Sequence, residues 1–210
     1  MTINEFLVIK YRGDNMAKRF SENEKKVIQD RLLNIAEICW GKYGIKKTSV
    51  DELVQMAGIS KGAFYLFYES KELLFLDVLV RIDKRIKDSL LEALKTSKES
   101  KKQGFINGIK KMFLEVQKTP WMLNLQNGDY DLLIQKLPEE TVKEHLTDDE
   151  SDISLILKSV DINCDTSFVS SVMKSIFFTQ LHKKEIGEEQ YEEVTQFFIE
   201  SLANRIFDRS

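Results

Sequence analysis

The chain is poor in residues that break or cross-link structure: of its 210 residues two are proline, nine are glycine and two are cysteine. With only Pro120 and Pro138, long stretches are left free to form helix. Cys39 and Cys164 stand far apart with neither CxxC nor zinc spacing. That excludes a disulfide scaffold and a zinc module, and both read as reduced thiols of a cytoplasmic protein. No apolar run approaches the ~20 residues needed to cross a bilayer. Phe6–Ile9 is too short for the apolar core of a signal peptide. The expectation is a cytoplasmic chain with no membrane partner. His145 and His182 lack an HxxxH or HExxH partner. A nucleotide-binding glycine loop, a Ser-His-Asp order and a nucleophile elbow are all missing. No catalytic residue, metal ligand or cofactor is expected, and the chain does not read as an enzyme.

Against these absences stand 42% hydrophobic and 31% charged residues, enough to bury a core and stay dissolved. The net charge of −3 does not point to nucleic acid, but its distribution is uneven. Residues 16–71 hold ten Lys/Arg and seven Asp/Glu, whereas residues 72–210 hold nineteen and twenty-five. A mildly basic head on an acidic body suits a small nucleic-acid-reading unit carried by a larger one. Met16 follows Arg12-Gly13-Asp14-Asn15, whose codons can read as a purine-rich ribosome-binding sequence. The expectation from this is a native start at Met16; the alternative is a genuine N-terminal arm.

Apolar residues recur at helical spacing almost throughout, which predicts an all-α protein. Ser21-Glu22-Asn23-Glu24 is a capping box opening a first helix that stops at Tyr43-Gly44. Ser49-Val50-Asp51-Glu52 is a second capping box, opening a short helix that Gly58 ends. Ser60 caps a third helix over Lys61–Phe67, and Ser70 caps a long fourth whose first plausible break is Thr96–Ser100. Phe105, Ile109, Met112, Phe113 and Val116 form the face of a further helix. Short helices are expected over Tyr130–Leu137 and Glu139–Leu146, and the acidic run from Asp148 to Asp152 reads as a helix start. Two stronger helices, Thr166–Lys184 and Glu188–Phe207, close the chain around Gly187.

Three short helices, the second and third joined tightly at Ala57-Gly58-Ile59-Ser60, are the sequence form of a helix-turn-helix. Gly58 allows the positive φ of the turn, and Ser60 sets the start of the recognition helix. Lys61, Gly62, Ala63 and Tyr65 fall on its first turns, where base edges come within reach. Phe64 and Phe67 are expected in the core, with Tyr65 the exposed aromatic.

The run from Thr48 to Leu74 resembles the DNA-binding signature of TetR-type regulators. The shared features are the threonine before the second helix, Ala-Gly-Ile-Ser at the turn, Gly62, the aromatic run Phe64–Tyr68, and Ser-Lys-Glu-Leu opening the fourth helix. Leu53-Val54-Gln55-Met56 departs from the commoner Ile-Ala pattern. The resemblance, spanning about Ser21–Leu79, implies that Thr48, Tyr68 and Lys71 contact phosphates while Lys61, Ala63 and Tyr65 approach bases. The expected division is an N-terminal arm over 1–20, part of it upstream if the native start is Met16, a helix-turn-helix DNA-binding domain over 21–70, and a helical domain over 71–210, to which the resemblance gives ligand binding and dimerisation.

On the same footing the chain is expected to be a homodimeric repressor of a palindromic operator in double-stranded DNA, released by an apolar small-molecule inducer. The last two helices carry wide apolar faces that need cover on both sides, which a bundle shared between two subunits provides. The inducer-lining candidates are Phe105, Met112, Phe113, Trp121, Met122 and Tyr130, with Met173 and Phe177 from the first of the closing helices. The alternative reading is a helix-turn-helix architectural or cell-division factor without a small-molecule inducer.

Overall fold

A computed structural model describes residues 20–119, 128–145 and 149–208. The candidates Trp121 and Met122, the residues before Phe20 and with them the question of the start lie outside the described residues. Eleven helices occur among the described residues, and no strand. They are α1 (Glu22–Tyr43), α2 (Val50–Ala57), α3 (Lys61–Phe67), α4 (Lys71–Thr96), α5 (Lys101–Gln117) and α6 (Asp129–Lys136). There follow α7 (Glu139–His145), α8 (Asp149–Ser159), α9 (Thr166–Thr179), the single turn α10 (Lys183–Ile186) and α11 (Tyr191–Phe207). The all-helical expectation holds. None of the described helices is long and apolar enough to cross a membrane.

Local chemistry accounts for the helix boundaries. Both capping boxes form: Ser21 and Glu24 satisfy each other's amides at the start of α1, and Ser49 and Glu52 do so at α2. Ser60 Oγ accepts from the Ala63 amide at 3.1 Å to open α3, and Ser100 opens α5 in the same way. The closing pair of helices departs from expectation. Instead of running on to Lys184, α9 stops at Thr179 and passes into a 3-10 turn over Gln180–His182. There the Gln180 amide bonds back to Phe177, and the Thr179 hydroxyl donates to the Ile176 carbonyl at 2.6 Å. These three-residue returns tighten the chain and take up a carbonyl that a continuing α-helix would use.

The chain divides into two compact units, one of Met1–Arg81 with Leu125–His145 and one of Ile82–Asn124 with Leu146–Ser210. The first therefore joins the N-terminal helices to a segment from beyond the middle of the chain. Its interior holds Leu32, Ala36, Ile45, Leu53, Phe64, Leu74 and Phe75, all fully buried, with Trp40 edge-on to Phe75 at 5.4 Å. The second is built on Leu90, Phe105, Ile109, Leu157, Val169, Ile176, Ile199 and Leu202.

Candidate nucleic-acid interface

The turn between α2 and α3 is closed by backbone bonds and braced by one side chain. Gly58 sits at φ +66°, ψ +35°, a left-handed conformation that glycine adopts without penalty. Its amide bonds to the Gln55 carbonyl at 3.3 Å and that of Ile59 to Val54 at 3.1 Å, the paired return that closes a helix C-terminus. Arg31 adds a bond from α1, its Nη1 donating to the Ala57 carbonyl at 3.0 Å. Ala57 is buried against its neighbours. The recognition helix therefore leaves the turn at an angle set by one glycine and held by one arginine.

Along α3 the side chains divide. Phe64 is fully buried and Ala63 nearly so, while Tyr65 is half exposed. Phe67 is partly buried against Phe20, ring centroids 6.0 Å apart. Lys61 and Gly62 are exposed. The Lys61 ammonium lies 2.9 Å from the Asp51 carboxylate of α2, whose hydrogen bond and charge raise the lysine pKa. The outward set from this helix is thus Lys61, Gly62 and Tyr65, with Ala63 turned inward below them.

The three residues read as phosphate contacts use their side chains within the head. Thr48 is buried, and its hydroxyl donates to the Gly44 carbonyl at 2.8 Å. Tyr68 is 95% buried: its hydroxyl donates to Asp77 at 2.9 Å and accepts from Gln29 at 3.4 Å. Burial, reinforced by the Asp77 carboxylate, pushes this phenol well above its ordinary pKa and keeps it protonated. Lys71 Nζ donates to the carbonyls of Ile45 at 2.8 Å and Thr48 at 2.6 Å. Burial is the chief reason its pKa falls below that of a free lysine. The Thr48 and Tyr68 hydroxyl protons are thus already given to acceptors within the head, whereas Lys71 uses two of its three ammonium donors there.

The loop between α1 and α2 carries a contact that sequence pattern did not disclose. Asp129, first residue of α6, accepts the Ile45 amide on Oδ2 at 3.0 Å. Nearby, Lys136 of the same helix reaches Glu72 of α4 at 3.2 Å. The two partners of the Ile45 bond stand 84 residues apart. Nothing in local spacing signals it; the one available sign was Gly44, where a side chain would clash with what approaches.

Of the inducer-lining candidates, Phe105, Phe113 and Met173 lie together in the second unit's core, and Met112 and Phe177 pack against it. Tyr130 is not among them; it lies on α6 in the first unit, partly exposed. Farther along, Phe178, Phe197 and Phe198 stand exposed on α9 and α11. Among the described residues no group of three His, Cys, Asp or Glu side chains could hold a metal ion.

Comparison with known proteins adds to this geometry. Residues 32–78 match the family of bacterial regulatory proteins of the tetR type. Over 54 residues the chain is 43% identical to the uncharacterised HTH-type transcriptional regulator YerO of Bacillus subtilis strain 168. That match covers 26% of this chain and 18% of YerO, so the chain spans less than a fifth of that relative's length. The fold is similar to the crystal structure of a TetR family transcription regulator from Marinobacter aquaeolei VT8. The TM-score is 0.60 at 16% identity, covering 89% of this chain and 98% of that one. A TetR-family regulator from Streptomyces coelicolor A3 follows with a TM-score of 0.54 at 16% identity, covering 90% and 98%. At such identities the likeness is one of fold.

Proposed function

We propose that this chain, whose residues 32–78 match the tetR family of bacterial regulatory proteins, is a TetR-type homodimeric repressor released from a palindromic operator by an apolar small molecule. The observation that carries the DNA-binding part is the outward face of α3. Lys61, Gly62 and Tyr65 are presented together beyond a turn that Gly58, Ser60 and Arg31 hold in place. Such a helix enters the major groove, where an exposed lysine and tyrosine meet base edges and phosphates. In the full proposed set of Thr48, Lys61, Gly62, Ala63, Tyr65, Tyr68 and Lys71, the three inward-bonded side chains shape the surface and the three outward residues of α3 read it.

One helix-turn-helix contacts too few base pairs to select a site, so two copies bind half-sites about one helical turn apart. The exposed Phe178, Phe197 and Phe198 on the last two long helices support a paired surface there. Replacing Phe197, 64% exposed, by glutamate is expected to yield monomers in sedimentation; an intact dimer would place the interface elsewhere. The cluster of Phe105, Met112, Phe113, Met173 and Phe177 supports an apolar effector, because thioether and aromatic side chains repack around such guests at little cost. The effector releases DNA only by binding the free state more tightly than the DNA-bound one.

The test is a genome-wide binding map, with transcript levels in cells with and without the gene. Repression predicts a few strong sites whose neighbouring genes rise when the protein is lost, and compounds that release it from the strongest site. Many scattered sites with unchanged neighbouring transcripts would contradict it.

A further inference from the structure

We propose that Asp129 is a positioning residue for DNA binding, holding the loop that sets α1 against α2; the proposal rests on the DNA-binding reading above. That loop, Gly44–Thr48, leads directly into Ser49, the cap of α2, so its shape fixes where the helix-turn-helix begins. The backbone of Ile45 is held at both its amide and its carbonyl. The Ile45 amide donates to Asp129 Oδ2 at 3.0 Å, and the Ile45 carbonyl accepts from Lys71 Nζ at 2.8 Å. The same ammonium reaches the Thr48 carbonyl, and the Thr48 hydroxyl closes back on Gly44. Ile45 is fully buried. Without the carboxylate its amide would be a buried donor with no partner, which favours another loop conformation.

Gly44 makes this close approach possible. A Cβ at that position would lie 2.9 Å from Asp129 Oδ2, and the residue also holds φ at +78°. One glycine therefore meets two demands, a backbone conformation and room for a carboxylate. Asp129 lies in a segment of the first unit, Leu125–His145, whose flanking stretches on both sides belong to the second unit.

The test uses the full chain and a labelled duplex recovered by selecting a randomised library with the wild-type protein. Asp129→Ala is expected to bind that duplex roughly tenfold more weakly, equivalent to about 1.4 kcal/mol, at temperatures where its circular dichroism matches wild type. The salt slope should not change, because no phosphate contact is lost. Asp129→Asn keeps an acceptor oxygen and should bind within about threefold of wild type, on the same scale. Hydrogen exchange of the Ile45 amide should quicken in Asp129→Ala and not in Asp129→Asn. Unchanged or tighter binding by Asp129→Ala overturns the proposal, as does an unaltered Ile45 exchange rate. If Asp129→Ala fails to fold, loss of binding by a fully folded Asp129→Asn with unchanged Ile45 exchange overturns it. If the wild type enriches no duplex, the DNA-binding reading falls and this role falls with it; enrichment with equal affinity overturns this role alone.

Discussion

Replacing Gly58 by alanine isolates the backbone energy of the turn. The residue sits at φ +66°, ψ +35°, and a Cβ built there would meet nothing within 4 Å. The substitution therefore adds no clash, and its cost is that of holding an L residue in the left-handed region, about 1–2 kcal/mol. Alanine also restricts the unfolded chain, which returns roughly 0.4–1 kcal/mol. The net loss is about 1 kcal/mol, or a fall in melting temperature of about 2–4 °C for a protein of this size. Asparagine, which tolerates this region, should lose less, and β-branched valine more. The reporter is Trp40, buried against Phe75, followed through urea unfolding in a Trp121→Phe background so that it is the remaining tryptophan of two. A Gly58→Ala protein as stable as its parent would refute the left-handed turn. A loss of several kcal/mol would refute the open space around it.

Other outcomes follow from the same physics. Glu52 has its carboxyl pKa lowered by the backbone and hydroxyl hydrogen bonds of Ser49, and Glu24 by the hydroxyl and amide of Ser21. Folded values below unfolded ones mean that this stabilisation is present above about pH 4.3, the ordinary glutamate value, and is lost as pH falls through the lowered values. Acid titration of Glu52→Gln should show a shallower loss of stability over that window than wild type; an identical slope would argue against the cap. Gln180 is 91% buried, and its side-chain Nε2 and Oε1 have no hydrogen-bond partner among the described residues. Gln180→Leu should therefore raise stability by about 1–3 kcal/mol in urea unfolding, whereas a loss would mean that the amide is bonded after all.

Local chemistry was legible in the sequence wherever a few adjacent residues decide the outcome. Ser21 with Glu24, Ser49 with Glu52, the Gly58 turn and the Ser60 cap each act within four residues, and each boundary fell where those residues put it. The end of α9 was less legible. Its apolar pattern continues past Thr179, and what stops it is a hydroxyl and an amide returning three residues back, a competition that periodicity does not register. The role of Asp129 was not legible from local spacing, because its partner Ile45 lies 84 residues away. For the candidate site, spacing along α3 identified which residues share a helix start but not the destinations of the side chains around it. Tyr68 and Lys71 look like surface groups in sequence, yet they bond to Asp77 and to the loop carbonyls. Such choices depend on which buried carbonyls and carboxylates lie within reach, and that is a property of the folded head.

The central claim, that the face of α3 reads DNA, is tested most directly by selecting duplexes from a randomised library with the wild-type chain and with Lys61→Ala and Tyr65→Ala. Wild type should enrich an inverted repeat with half-sites about 10 base pairs, or a multiple, apart, bound with an affinity that falls linearly on a log scale with salt. The two variants should enrich a different or degenerate sequence at the half-site positions. Enrichment of one and the same repeat by all three proteins, or of none by the wild type, would contradict the account.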